Sequence, residues 1–226
     1  MPELNDRFTS SGFAVMRFVA QRMMLKPLVW SLVRVSVTGK DALKTVKAPF
    51  IVVANHSSHL DAPLIIGSLP RPLARYLAAG AAADYFFDVK WRKWLTALFF
   101  NAFPVDRGGT RTRTGLSRQL LERGVPLLIF PEGGRSKTGV MGPFKAGAAA
   151  LAISCDVPCV PIAIVGASVA MPRGQNWPSS GRFPVTVVFG APMRCKEGES
   201  ADAYSHRLQG EVQRLHATVE ATRVSA

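Results

Sequence analysis

The string Asn55-His56-Ser57-Ser58-His59-Leu60-Asp61 sets a histidine and an aspartate with four residues between them. A histidine can take a proton near neutral pH. An aspartate on its other ring nitrogen would fix the tautomer and stabilise the cation that forms. His56 and Asp61 could do this if the chain turns between them, and then His56 could activate a substrate hydroxyl directly, without a serine or cysteine nucleophile. The competing reading makes His56 a helix cap or a satisfied core residue. His59 is a second candidate should the turn differ.

Three further strings share one layout, an apolar run followed by special residues. Phe130-Pro131-Glu132-Gly133-Gly134-Arg135-Ser136 joins a carboxylate, two glycines and an arginine. Glycines let backbone N–H groups approach a ligand, and arginine offers a planar fork suited to phosphate. Phe103-Pro104-Val105-Asp106-Arg107-Gly108-Gly109 repeats the pattern, although Arg107 could equally be a loop residue paired with Asp106. Val157-Pro158-Cys159-Val160-Pro161-Ile162-Ala163-Ile164-Val165-Gly166 reads as a core strand entered through prolines.

The elements that must position these residues alternate in type. Apolar, β-branched runs predict strands at 33–37, 50–53, 76–79, 125–130, 160–165 and 185–189. Helices are expected at 62–69, 112–123 and 144–153, and a last one starts at Ser200 with Tyr204, Leu208, Val212, Leu215 and Val219 as its apolar stripe. This is an α/β domain, a mixed sheet flanked by helices. An N-terminal amphipathic helix is expected over 10–26, interrupted by Pro27, with Phe13, Met16, Val19, Ala20, Met23 and Met24 on its apolar side. It is either an interfacial helix or an ordinary packed one. Residues 85–100 mix aromatics with Lys90, Arg92 and Lys93, as membrane-facing segments do, and some of those aromatics must also fill the core.

Composition limits the partners. The formal net charge of +13 favours anionic ones: acidic lipid, phosphorylated substrate or nucleic acid. The arginines of 71–75 and 107–123 read as solvated faces. Cys155, Cys159 and Cys195 have no zinc-type spacing and read as reduced core residues. No uncharged run reaches the roughly 18–20 residues of a spanning helix, and the first twenty residues lack a cleavable signal pattern. The expectation is a protein lying on a membrane. Gly166-Ala167-Ser168-Val169-Ala170 lacks the last glycine of a hydrolase elbow, and Val140 stands where a phosphate-binding loop needs lysine, so hydrolase and kinase readings fail.

The four strings, in this order, resemble the blocks of the glycerolipid acyltransferase family: Asn-His-x4-Asp at 55–61, Phe-Pro-Val-x-Arg at 103–107, Phe-Pro-Glu-Gly-Thr-Arg-Ser at 130–136 and Val-Pro-Ile at 160–162. Phe144-Lys145-Ala146-Gly147 fits a further segment of that pattern, and Gly134 departs from it where threonine is usual. The resemblance implies an O-acyltransferase moving a fatty acyl group from acyl-CoA or acyl carrier protein to the sn-2 hydroxyl of 1-acylglycerol 3-phosphate, with no cofactor and no metal. In it His56 is general base and Asp61 its orienter. Arg107 and Arg135 bind the acceptor phosphate with Lys145 assisting, Glu132 shapes the acceptor site through hydrogen bonds, and backbone N–H groups near Gly133 face the oxyanion. Residues 1–32 would contact an anionic membrane from the cytoplasmic face, as a peripheral or monotopic protein, and 33–226 would form the acyltransferase domain, with no nucleic acid expected as partner. Two alternatives stay open: the same chemistry on another lysolipid such as a lyso-ornithine lipid, and a non-catalytic basic lipid-binding protein.

Overall fold

The computed structural model describes residues 6–82, 90–105, 111–175 and 177–224. Strands β1 (Arg34–Thr38), β2 (Ile51–Ala54), β3 (Ala78–Ala82), β4 (Phe103–Val105), β5 (Leu127–Ile129), β6 (Cys159–Val165) and β7 (Pro184–Phe189) form one sheet in the order β1-β7-β6-β2-β5-β3-β4. From β6 across to β4 the strands run parallel, while β7 is antiparallel to β6. The sheet is therefore mixed, with its parallel part around β2.

Parallel strands need crossovers, and the crossovers put helices on the faces. β2 shows the consequence. Val52 and Ala54 join one buried cluster with Leu64, Ile65 and Leu69 of helix α3 (Asp61–Ser68). Ile51 and Val53 face the other way, toward Leu120 and Leu121 of α6 (Arg111–Glu122), Ala148 and Leu151 of α7 (Gly147–Ser154), and Tyr204 and Leu208 of α9 (Ala201–Val224). Buried on both faces, the strand reads as a continuous apolar run. The C-terminal stripe behaves as expected: Tyr204, Leu208, Val212 and Leu215 are buried and Val219 packs against them.

Three expectations need correction. The strand expected over 76–79 begins at Ala78, because Arg75 and Tyr76 still turn out of the short helix α4 (Arg71–Ala74). Cys159 is buried, but Cys155 and Cys195 are only half-buried, since Cys155 ends α7 and Cys195 lies in the connection before α9. Burial pushes the Cys159 thiol up to about 12, which makes it inert.

The third correction concerns the N-terminus. Pro27 does not stop the helix. Helix α1 (Ser11–Val19) passes into a π-helical stretch, Ala20–Leu25, and on into α2 (Lys26–Leu32). The Lys26 N–H bonds the Gln21 carbonyl, five residues back, so the ladder has already shifted before the proline ring arrives. Of the two readings left open for this helix, its apolar side faces outward, as in an interfacial helix. Arg17, 3% exposed, and Gln21 face the protein, while Met23 and Met24 are 72% and 62% exposed. Phe13, Met16, Val19 and Leu28 are exposed with them, and of the expected apolar side only Ala20 is buried.

Arg17 donates to Arg7 O, while Gln21 and the partly buried Arg22 find carbonyls at helix C-termini. Gln21 Nε2 donates to Phe99 O at the end of α5 (Lys90–Phe100), and Arg22 donates to Gly67 O and Leu69 O at the end of α3. Cations there also meet the negative end of each helix dipole. In the aromatic segment, 85–89 lie outside the described residues. Leu95 is exposed, and Phe100 packs on the core.

Candidate active site

The site lies where β2 and β5 end. The two strands pair in parallel with Val53 opposite Ile129. Three residues past each partner stand His56 and Glu132, so two strings far apart in sequence arrive side by side. His56 N–H donates to Glu132 Oε1 at 2.6 Å, and Ser136 N–H donates back to His56 O at 2.8 Å. Asn55 clamps the other flank: its Nδ2 donates to Ile164 O and its Oδ1 accepts from Ile164 N–H, tying the end of β2 to β6. The carboxyl edge of parallel strands is where open α/β sheets place ligands.

After β2 the chain turns through residues 58–60 and enters α3 at Asp61. The turn brings Asp61 back onto its own loop. Its carboxylate is fully buried, and Oδ2 accepts from Ser57 N–H at 2.7 Å and Ser58 N–H at 2.8 Å. His56 Nδ1 lies 2.9 Å from the same oxygen. An oxygen already facing two donors accepts a third, so Nδ1 carries the proton and Nε2 is left basic. The imidazole is further fixed by stacking on Phe130, with ring centroids 4.1 Å apart. A buried acceptor, a fixed tautomer and a partly open ring are what a general base with its orienter needs.

His59 points to the same region but differs in environment. Burial, then the Arg135 and His56 charges, hold its imidazole below the ordinary value, with Asp61 opposing. Asp61 Oδ2 meets the ring of His56, so of the two histidines His56 holds the orienter.

The glycine-rich loop is held from beneath. Glu132 Oε2 accepts from Gly142 N–H at 2.8 Å, so both of its oxygens are engaged by backbone amides. Glu132 thus braces the His56 backbone and the loop end. Gly133 adopts φ of +75°, a left-handed conformation suited to glycine, and a Cβ there would meet Lys145 Nζ at 3.0 Å. Lys145 is exposed and hangs over that glycine, its own N–H bonded to Pro131 O. Arg135 is half-buried in the same loop, close enough to His59 for its charge to act there. The N–H of Gly133 closes the turn onto Phe130 O. Arg107 lies outside the described residues, and β4, which precedes it, ends on the same sheet edge as β2 and β5.

Burial pushes the Glu132 carboxyl above its ordinary 4.5, against the pull of the two amides. The folded chain therefore binds this proton more readily than the unfolded one, and Glu132 makes stability fall as pH rises from 4.5 through the raised value. Glu132→Gln should remove that slope. It should also set an NH2 group against one of the two amides, costing about 1–3 kcal/mol of stability. Because His56 is then held less firmly, kcat should drop roughly 10–100-fold. Thermal melts across pH and steady-state rates check both parts.

Sequence reasoning overlooked Asn55 as a clamp, although it stands beside the histidine it steadies. It also missed Ser58, whose hydroxyl donates to Met171 O and draws the segment after β6 toward the site. Neither residue carries a periodic or compositional signal. Among the described residues no group of three or more His, Cys, Asp and Glu side chains is placed to hold a metal. A cavity of about 480 Å³ at the opposite edge, lined by Lys47, Cys155, Asp156 and Arg194 among others, is remote from this chemistry.

The Acyltransferase family model matches residues 34–165, which hold β1 through β6 and every part of the site described above except its approach from Met171. A chloroplastic 1-acyl-sn-glycerol-3-phosphate acyltransferase of Brassica napus is 29% identical over 66% of this chain and 42% of its own. The human 1-acyl-sn-glycerol-3-phosphate acyltransferase alpha is 30% identical over 71% of this chain and 56% of its own. The 1-acyl-sn-glycerol-3-phosphate acyltransferase of Pseudomonas aeruginosa is 31% identical over 71% and 60%. The chain thus spans about half the length of the curated relatives it matches. The crystal structure of the 1-acyl-sn-glycerophosphate acyltransferase PlsC from Thermotoga maritima superposes with a TM-score of 0.71 at 24% identity, covering 93% of this chain and 89% of that one, and carries the likeness of fold. With its paired His56 and Asp61 at the end of β2 and a family match over more than half its length, this chain belongs to the acyltransferase family.

Proposed function

We propose that this protein transfers a fatty acyl group from an acyl thioester to the sn-2 hydroxyl of 1-acylglycerol 3-phosphate, giving phosphatidate. The observation that carries the reading is the His56–Asp61 pair, with Nδ1 on the carboxylate and Nε2 left to act. Nε2 removes the proton of the acceptor hydroxyl as its oxygen attacks the thioester carbonyl. The tetrahedral intermediate collapses, the C–S bond breaks, and the departing thiolate takes the proton back from the imidazolium. Base and orienter are regenerated, and the step needs no cofactor beyond the donor, acyl-CoA or acyl carrier protein. Arg135 and Lys145 supply cationic groups beside the base for the acceptor's phosphate, and Arg107 joins them in this reading.

The purified protein should form phosphatidate from lysophosphatidate with either an acyl-CoA or an acyl-carrier-protein donor. The departure at Gly134 keeps a second acceptor in view, so a lyso-ornithine lipid belongs in the same assay. Turnover of that lipid alone would replace the phosphate-ester reading.

The same reading places residues 1–32 on an anionic membrane, at its cytoplasmic face. Among the described residues no helix is long and apolar enough to cross a membrane. The outward row of Phe13, Met16, Val19, Met23, Met24 and Leu28 offers apolar side chains, and Lys26 beside it offers charge to headgroups. Replacing Met23 and Met24 together with glutamate should weaken binding to phosphatidylglycerol vesicles by about tenfold or more, because each methionine returns its apolar burial. The melting temperature should stay put, since both side chains already face solvent. Unchanged flotation with vesicles would show that this row is not the docking face.

A further inference from the structure

We infer that Arg173 is a positioning residue for the acceptor's phosphate, fixing the backbone of Arg135 and adding a second guanidinium beside it. The inference rests on the phosphate-ester acceptor proposed above. Arg173 lies beyond residue 165, where the family match ends, on the segment that follows the short helix α8 (Ala167–Ala170). Three contacts stitch this segment to the site. Ser58 Oγ donates to Met171 O at 3.0 Å, which anchors it to the histidine loop. Gly139 closes on Ser168, whose Oγ is 3.3 Å from where a Cβ on that glycine would stand. Arg173 Nη1 donates to Arg135 O at 2.8 Å.

A simple loop tie would need only one neutral donor. Arg173 instead brings a full positive charge to the backbone of the Arg135 loop, and no carboxylate among the described residues pairs with it. Lys145 stands over the same loop, at Gly133. Gathering like charges on one loop is unfavourable in the empty site and favourable once a dianion joins them. The bond to Arg135 O uses one of the five guanidinium N–H donors, and the planar fork suits phosphate oxygens. The segment after β6 is thus tied to both the histidine loop and the glycine-rich loop.

The test is steady-state acyl transfer with lysophosphatidate and acyl donor varied separately, for wild type, Arg173→Ala and Arg173→Lys. Arg173→Ala should raise the acceptor KM about tenfold and leave the donor KM and kcat within about twofold. Arg173→Lys keeps the charge and a donor, and should recover most of the loss. An acceptor KM unmoved in Arg173→Ala overturns the inference. So does a fall in kcat with both KM values raised that lysine fails to rescue, because that pattern marks a merely structural tie. A titration of glycerol 3-phosphate into the same proteins reads binding without turnover: weaker binding by Arg173→Ala supports the inference, and equal binding overturns it. Wild type that acylates no lysophosphatidate removes the acceptor reading and this inference together. Wild-type turnover with an unmoved KM in the variant removes the inference alone.

Discussion

Replacing His56 with alanine is expected to lower kcat for acyl transfer by about 10²–10⁴-fold in a protein that still folds. The chemistry loses the histidine whose tautomer Asp61 fixes, and the second histidine, His59, is held below the ordinary imidazole value by burial and Arg135. The fold loses little. The hydrogen bonds that His56 contributes to the loop are those of its backbone, to Glu132 and from Ser136, and alanine keeps both. Asp61 retains the Ser57 and Ser58 amides. What disappears is the stack on Phe130 and the Nδ1 bond; the stack is worth about 0.5–1.5 kcal/mol. Rates and a melting curve on the same preparation check the prediction. Turnover within tenfold of wild type would remove His56 as the base.

The His56–Asp61 pairing is legible in the sequence because its geometry is local. One turn and the first residue of α3 bring the two together, and the strand before them is marked by four apolar residues. The partnership of His56 with Glu132 is a different kind of fact. It depends on β2 and β5 pairing in parallel with Val53 opposite Ile129, a register no local pattern states. Equal spacing past these two paired residues then makes them neighbours. The role of Glu132 is hidden for the same reason, since a carboxylate among glycines looks the same whether it meets substrate or backbone. At the N-terminus the periodicity shows two unlike sides but not which one faces the domain. Gln21 turns inward to a carbonyl at the end of a neighbouring helix and Arg17 to the Arg7 carbonyl, and both partners are set by how the chain packs. Pro27 misleads because a π-helical turn can shift the hydrogen-bond ladder ahead of it. Arg173 sits in a loop of ordinary composition, and only the fold brings it to Arg135.

Asp61→Asn should separate the charge of the orienter from its geometry. In many histidine–aspartate pairs the asparagine turns its NH2 group toward the imidazole and imposes the wrong tautomer. Here Oδ2 takes all three donors, from Ser57, Ser58 and His56, and Oδ1 has no partner among the described residues. An asparagine oxygen in the Oδ2 position keeps the whole set. The opposite flip would point its NH2 at two amide N–H groups and is strongly disfavoured. The tautomer of His56 therefore survives, and what vanishes is the negative charge opposite the imidazolium formed in the transition state. Two unit charges about 4 Å apart at an effective dielectric near 20 attract by roughly 4 kcal/mol, or about 10³ in rate. We expect kcat to fall by about that factor with the acceptor KM little changed. The NH2 group then occupies the buried place of Oδ1 without an acceptor, which should lower stability by about 1–3 kcal/mol. Asp61→Ala removes the charge and all three bonds together, so its loss of both stability and kcat should be larger. If the asparagine variant keeps nearly wild-type kcat, the charge of Asp61 has no part in the reaction. If it falls as far as the alanine variant, the orienting hydrogen bond has been lost as well, and the arrangement of donors on Oδ2 does not protect the tautomer.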